Sequence, residues 1–104
     1  MLTQKTFRQL ALSFPGSEEL PHFDKASFRY RKKIFATLWE KENKAMIKLP
    51  VNEQSVFCTY DALIFSPVPG TWGKQGATFV DLLKANKQIV KEALAISFQL
   101  LLHK

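Results

Sequence analysis

Hydrophobic positions near the start of the chain recur at helical spacing. Phe7, Leu10, Ala11 and Phe14 fall three or four residues apart, which places them on one face of a helix. Thr3 supplies an N-cap, and Leu2 before it can staple onto Phe7 in the first turn. Pro15-Gly16 ends the helix, whose outer face carries Gln4, Lys5, Arg8 and Gln9. After a loop through Pro21 the period changes to two. Ala26-Ser27-Phe28-Arg29-Tyr30 alternates like a half-buried strand, Arg31-Lys32 forms a tight connection, and residues 34–39 follow as a second strand. Glu40-Lys41-Glu42-Asn43 reads as another turn, returning through residues 44–49, so a three-stranded antiparallel meander is expected.

Simple alternation puts Ala26, Phe28, Tyr30, Ile34, Ala36, Leu38, Ala45, Ile47 and Leu49 on the interior face of that meander. The opposite parity presents Ser27, Arg29, Arg31, Lys33, Phe35, Thr37, Trp39, Lys44, Met46 and Lys48, a basic face with aromatic residues through its middle. A short helix is expected next, with Asn52 as N-cap and Val51 and Val56 stapled around it. Residues 63–65 read as a short extended segment and residues 78–82 as a further strand. Asn86 caps a final helix to about Leu102, where Ile89, Ala93, Ile96 and Leu100 form one row beside Val90, Leu94 and Leu101. So broad an apolar stripe belongs against the sheet.

Composition narrows the class. The 104 residues, 46% of them hydrophobic, suit one compact domain, since chains of this size bury roughly 60% or more of their unfolded surface. Cys58 is the only cysteine, so no internal disulfide is possible, and the N-terminus lacks the pattern of a secretory signal. A cytoplasmic location is expected. The longest apolar stretch falls short of the roughly 20 residues needed to span a bilayer, so no membrane role is expected. The net charge of +6 is unevenly distributed: residues 25–48 hold eight basic and two acidic side chains, and the remainder of the chain is neutral. All of the excess positive charge therefore lies on the expected hairpins, which favours an anionic partner, nucleic acid first.

Three stretches carry a family resemblance. Trp72-Gly73-x-x-Gly76-x-Thr78-x-Val80-x-Leu82 is preceded by Phe28-x-x-x-x-Lys33-Ile34-Phe35-Ala36-Thr37-Leu38 and, earlier, by residues 10–19. In this order they resemble the MmcQ/YjbR family, small bacterial proteins with a double-wing arrangement and a frataxin-like (CyaY-like) topology, often described as DNA-binding. The resemblance covers most of the chain. It implies an α+β fold with an antiparallel sheet packed by the N- and C-terminal helices, and a wing role for Lys32 and Lys33 at the hairpin tip.

The candidate contacts to nucleic acid are Arg29, Arg31, Lys32, Lys33 and Lys48, with Lys74 and Gln75 assisting. Guanidinium and ammonium groups neutralise phosphates, and Phe35 or Trp39 can stack on an unpaired base or be covered by neighbouring elements instead. With no base-reading helix in evidence, weak sequence preference is expected. The loop around Trp72 has two readings: an anion-binding turn built on Gly70, Gly73 and Gly76 with Lys74 and Gln75, or a tight path by which Trp72 plugs the edge of the core. A small-molecule site beneath it is a third possibility. The alternative function is a protein- or peptide-interaction module using the sheet face or an edge strand, with the basic hairpins selecting an acidic partner.

Catalysis finds little support. His22 and His103 lack metal-ligand spacing to other ligands, and Cys58 has no adjacent base in sequence. Glu18, Glu19 and Asp24 read either as an acidic cluster near the first loop or, equally well, as solvated carboxylates or helix-end partners. The first helix has no acid from Thr3 to Ser13, so the acidic ridge of frataxin-type iron binding is missing. A non-enzymatic protein with no metal and no cofactor is expected.

Overall fold

The computed structural model describes residues 1–102. Its elements run α1 (Gln4–Leu12), β1 (Ser17–His22), β2 (Lys25–Tyr30), β3 (Lys33–Trp39), β4 (Lys44–Lys48), α2 (Val51–Tyr60), β5 (Phe65–Pro67), α3 (Thr71–Lys74), β6 (Ala77–Asp81) and α4 (Lys87–Leu102). The strands form one antiparallel sheet in the order β1-β2-β3-β4-β6-β5. The helix layer lies on one side of it: Phe7 of α1 meets Phe28 edge-on at 5.7 Å, Phe98 of α4 meets Phe35 at 5.6 Å, and Phe57 of α2 meets Phe65 at 5.1 Å. The expected α+β fold, with the sheet packed by the terminal helices, is the observed one.

Both terminal helices start at the expected caps. The Thr3 hydroxyl accepts from the Thr6 amide at 3.1 Å, and the Asn86 side chain accepts from the Ile89 amide at 3.0 Å; each satisfies a donor that the first helical turn leaves unpaired. The Leu2 amide donates to the Leu82 carbonyl at 2.9 Å with its side chain buried, so the entry to α1 is pinned to the end of β6. The stripe of α4 is rotated from the expected one. Val90, Ala93, Leu94, Ser97 and Phe98 are buried, whereas Leu100 is exposed.

Two local expectations fail. The N-cap of α2 is Pro50 rather than Asn52, with no side-chain capping bond, and Val51 and Val56 are exposed instead of stapled. The supposed loop through Pro21 is β1, which pairs with β2 along its whole length. Its residues are mostly exposed because it is an edge strand, where proline is tolerated, so it shows no alternation to read.

The larger departure is a β-bulge. Phe28 pairs with Ala36 but Arg29 pairs with Ile34, so β3 carries one extra residue, Phe35. Phe35 and Ala36 are consequently both buried in the core, where Phe35 meets Phe14 and Phe98 edge-on. Beyond the bulge the parity is inverted. Lys33 sits opposite Tyr30, whose ring packs on Phe98 at 5.0 Å, while Ile34 sits opposite Arg29. Phe35 and Lys33 therefore leave the face assigned to them by simple alternation, and Ile34 joins it. The Phe35 carbonyl accepts a buried hydrogen bond from the Ser97 hydroxyl at 3.0 Å, tying the bulge to α4.

Replacing Ser97 by Ala removes that donor from a buried carbonyl, and we expect a loss of about 1–3 kcal/mol, read as a lowered urea midpoint with an unchanged m-value. Phe35→Ala, which empties an aromatic site in the core, is expected to cost about 3–5 kcal/mol.

Candidate nucleic-acid interface

On the side of the sheet away from the helices, the register aligns side chains in three cross-strand rows. One row runs His22, Lys25, Trp39, Lys44, Asp81; the middle one Leu20, Ser27, Thr37, Met46, Phe79, Ser66; the third Glu18, Arg29, Ile34, with Lys48 and Ala77 on the strands beyond. Ser27, Thr37, Met46 and Ala77 are buried beneath their longer neighbours, while Trp39 and Phe79 are half-buried.

The two ends of this face differ in how their charge is held. At the first row, Trp39 and Phe79 pack edge-on at 4.9 Å. The Lys25 ammonium lies 4.3 Å from the Trp39 ring centre, and that of Lys44 lies 3.8 Å from Phe79 and 4.9 Å from Trp39. Trp39 also donates from its indole nitrogen to the Thr37 hydroxyl at 2.9 Å. Lys25 pairs with Asp24 at 2.9 Å, a hydrogen bond that holds the Asp24 carboxyl below the usual carboxylate range. Positive charge at this end is thus engaged by the protein's own rings and by Asp24.

The opposite end collects most of the residues singled out from the sequence. Arg31 and Lys32 are the two central residues of the β2–β3 hairpin, Lys33 begins β3 and Lys48 ends β4 beside Ala77, which begins β6. Lys74 and Gln75 lie just before that strand, in α3 and at its C-cap. All but Arg29 are exposed. Among the described residues, no carboxylate comes within 4 Å of the charged groups of Arg29, Arg31, Lys32, Lys33, Lys48 or Lys74. The set does not share one face: Lys48 and Arg29 belong to the helix-free side, Lys33 to the other, and the Arg31 guanidinium lies 5.3 Å from the Tyr30 ring centre. Arg29 is tethered, donating to the Ser27 hydroxyl at 2.9 Å and to the Pro21 carbonyl at 3.4 Å. Of the two candidate stacking residues, Phe35 is buried and Trp39 is flanked by lysines.

Backbone geometry marks the β2–β3 and β1–β2 hairpin tips. Arg31 and Lys32 have φ of 51° and 70°, the pattern of a type I′ turn, whose usual residues are asparagine and glycine. Phe23, at the β1–β2 tip, has φ of 60° and is 93% exposed. No periodicity flags such a residue, and the sequence reading passed over it.

The Trp72 loop is not a core plug. Trp72 is 67% exposed on α3. Two close approaches constrain its path: a Cβ at Gly73 would collide with the Val68 carbonyl, and one at Gly76, whose φ is +108°, with the Leu49 carbonyl. The buried Gln54 amide donates to the Gly73 and Ala77 carbonyls at 2.9 and 3.0 Å, clamping α3 to α2 and to β6. That second carrier of the loop was also missed, because a lone glutamine in an amphipathic pattern reads as surface.

The remaining acids and the thiol have structural settings. Arg8 bridges Glu19 at 3.2 Å and Glu40 at 3.3 Å. Burial pushes the Cys58 thiol up, away from nucleophilic reactivity. Among the described residues no group of three or more His, Cys, Asp or Glu side chains is placed to hold a metal ion; His103 lies outside them. No described helix is long and apolar enough to cross a membrane.

No family model matches the chain, and no curated protein matches it. Among solved structures it is similar to Deinococcus radiodurans protein DR2400, a protein with a DUF419 domain, at a TM-score of 0.83 and 17% identity over 97% of this chain and 79% of that one. At this identity the likeness is one of fold.

Phe23 holds a bulky side chain in the left-handed region with nothing buried in return, a conformation that costs about 1–3 kcal/mol. Phe23→Gly is accordingly expected to raise the unfolding free energy by about 1 kcal/mol after the entropic cost of glycine, measured by denaturant unfolding.

Proposed function

We propose that the protein binds nucleic acid, DNA first, without catalysing a reaction, and that the β2–β3 hairpin is its wing. The observation that carries this reading is the hairpin tip. Arg31 and Lys32 occupy both central positions of a turn that favours Asn-Gly, at about 1–2 kcal/mol per left-handed residue, and among the described residues no carboxylate lies within 4 Å of their charged groups. A tip selected only for folding would carry the less strained residues. Strained cations on an exposed tip, with no carboxylate partner among the described residues, are suited to phosphate ridges.

Lys33, Lys48 and Lys74 extend the positive surface across the same end of the sheet, with Gln75 as a neutral donor and Arg29 held in place beneath. The contact is electrostatic and weak in sequence preference, because its side chains are cations suited to phosphates rather than a set aligned along one helix for base edges. The resemblance of the sequence to the MmcQ/YjbR family, and the likeness in fold to a DUF419 protein, are compatible with a double-wing protein of this kind. A second reading, an acidic peptide across the helix-free face, draws on Lys25 and Lys44 beside Trp39 and Phe79.

Neutralising about five phosphates gives a logarithmic salt slope near −4.5 on duplex DNA, from roughly −0.9 per phosphate. Exchanging the tip by Arg31→Asn with Lys32→Gly is expected to stabilise the domain while flattening the slope by about 1.8, measured by fluorescence anisotropy of a labelled duplex across salt concentrations. An unchanged slope in the stabilised variant removes the tip from the interface. An acidic peptide that outcompetes DNA brings the second reading forward.

A further inference from the structure

A groove of about 760 Å³ runs between α2 and α4, on the helix side of the sheet and away from the basic hairpin. Its α2 wall carries Glu53, Val56 and Tyr60, and its α4 wall Ile89, Glu92 and Ile96. The spacing on each wall is that of one helix stripe. The groove is therefore a seam between two helices, of the kind that a third helix fills by packing side chains between their ridges.

Solvent exposure indicates that α2 has an unpartnered face. Only Gln54 and Phe57 of its ten residues are buried, yet its exposed residues include large apolar ones, Val56 at 60% and Tyr60 at 67%, and Leu63 in the following turn is exposed as well. Single exposed apolar residues are ordinary; here they line one wall of a seam whose opposite wall supplies Ile89 and Ile96, both half-buried.

Charge identifies the occupant. The chain has fifteen lysines and arginines against nine acids, yet among the described residues no lysine or arginine lines this groove, which has one carboxylate on each wall. Among the described residues neither Glu53 nor Glu92 has a cation within 4 Å. We propose that the α2–α4 groove docks a basic amphipathic helix of a partner protein, its apolar stripe against Val56, Tyr60, Ile89 and Ile96 and its flanking lysines or arginines against Glu53 and Glu92. A second copy of the chain is a poor occupant, because the apolar stripes of α1 and α4 are already buried in its own core. The docking site is independent of the proposed nucleic-acid contact and lies on a different surface.

The test uses the full chain and a fluorescein-labelled 14-residue peptide with leucines at i, i+3, i+4 and i+7 and lysines elsewhere. Controls are a peptide with the same leucines and glutamine in place of lysine, and a scrambled lysine peptide. The patterned basic peptide must bind against a net charge of +6, so non-specific attraction works against it. We expect it to bind at least tenfold more tightly than either control, and to lose at least tenfold in affinity both on Glu53→Lys with Glu92→Lys and on Val56→Ser with Tyr60→Ser. These four side chains are not in the buried core, and circular dichroism confirms that each variant is folded. Equal binding of the three peptides, or binding indifferent to both variants, overturns the proposal. So does a native dimer in sedimentation velocity that the Val56→Ser, Tyr60→Ser variant converts to monomer, since a second copy then fills the groove.

Discussion

The bulge at Phe35 is the constraint on which the rest of this architecture turns. One extra residue in β3 sends two consecutive side chains, Phe35 and Ala36, into the core. Phe35 then completes an aromatic group with Phe14, Tyr30 and Phe98 that joins the end of α1, the β2–β3 hairpin and α4. The hydrogen bond from Ser97 satisfies the Phe35 carbonyl and fixes the rotation of α4, which explains why a polar residue occupies the centre of that helix's buried face. The same bulge inverts parity toward the hairpin tip, so Lys33 leaves the helix-free face while Arg31 closes over Tyr30. The wing's position and the core's packing are thus set by one irregularity.

The basic hairpin end and the α2–α4 groove lie on different surfaces of the molecule. Cations at one end of the helix-free face are absorbed by Trp39, Phe79 and Asp24, whereas those at the hairpin end have no carboxylate partner among the described residues. Gln54 links the two sides, since its buried amide anchors α3, which carries Lys74, while the exposed side of the same helix walls the acidic groove.

The legibility of the fold followed burial. Terminal helices with one apolar face, their Thr3 and Asn86 caps, and the central strands were readable because period and capping chemistry are local. Strand β1 was not, because an exposed edge strand containing Pro21 has no alternation. The bulge was invisible for a related reason: Phe35 at a single position looks the same whether the strand is regular or carries an extra residue, and only the partner strand decides. Trp72 misled because size and apolarity suggest burial, although α3 places it outward. The basic residues of the candidate interface were evident from composition, and their gathering at one end of the sheet followed from the hairpin. Which of them are tethered, as Arg29 is, depends on contacts with Ser27 and Pro21 that no spacing rule encodes.

Mapping backbone amide shifts during titration with a short DNA duplex at near-physiological salt tests the central proposal most directly. Perturbations concentrated at residues 29–33, 48 and 73–76, and weak along α2 and the groove-facing side of α4, are the expected result. Saturating shifts confined instead to the Lys25, Trp39 and Lys44 row, or no shifts at any residue, would contradict a nucleic-acid contact through the wing.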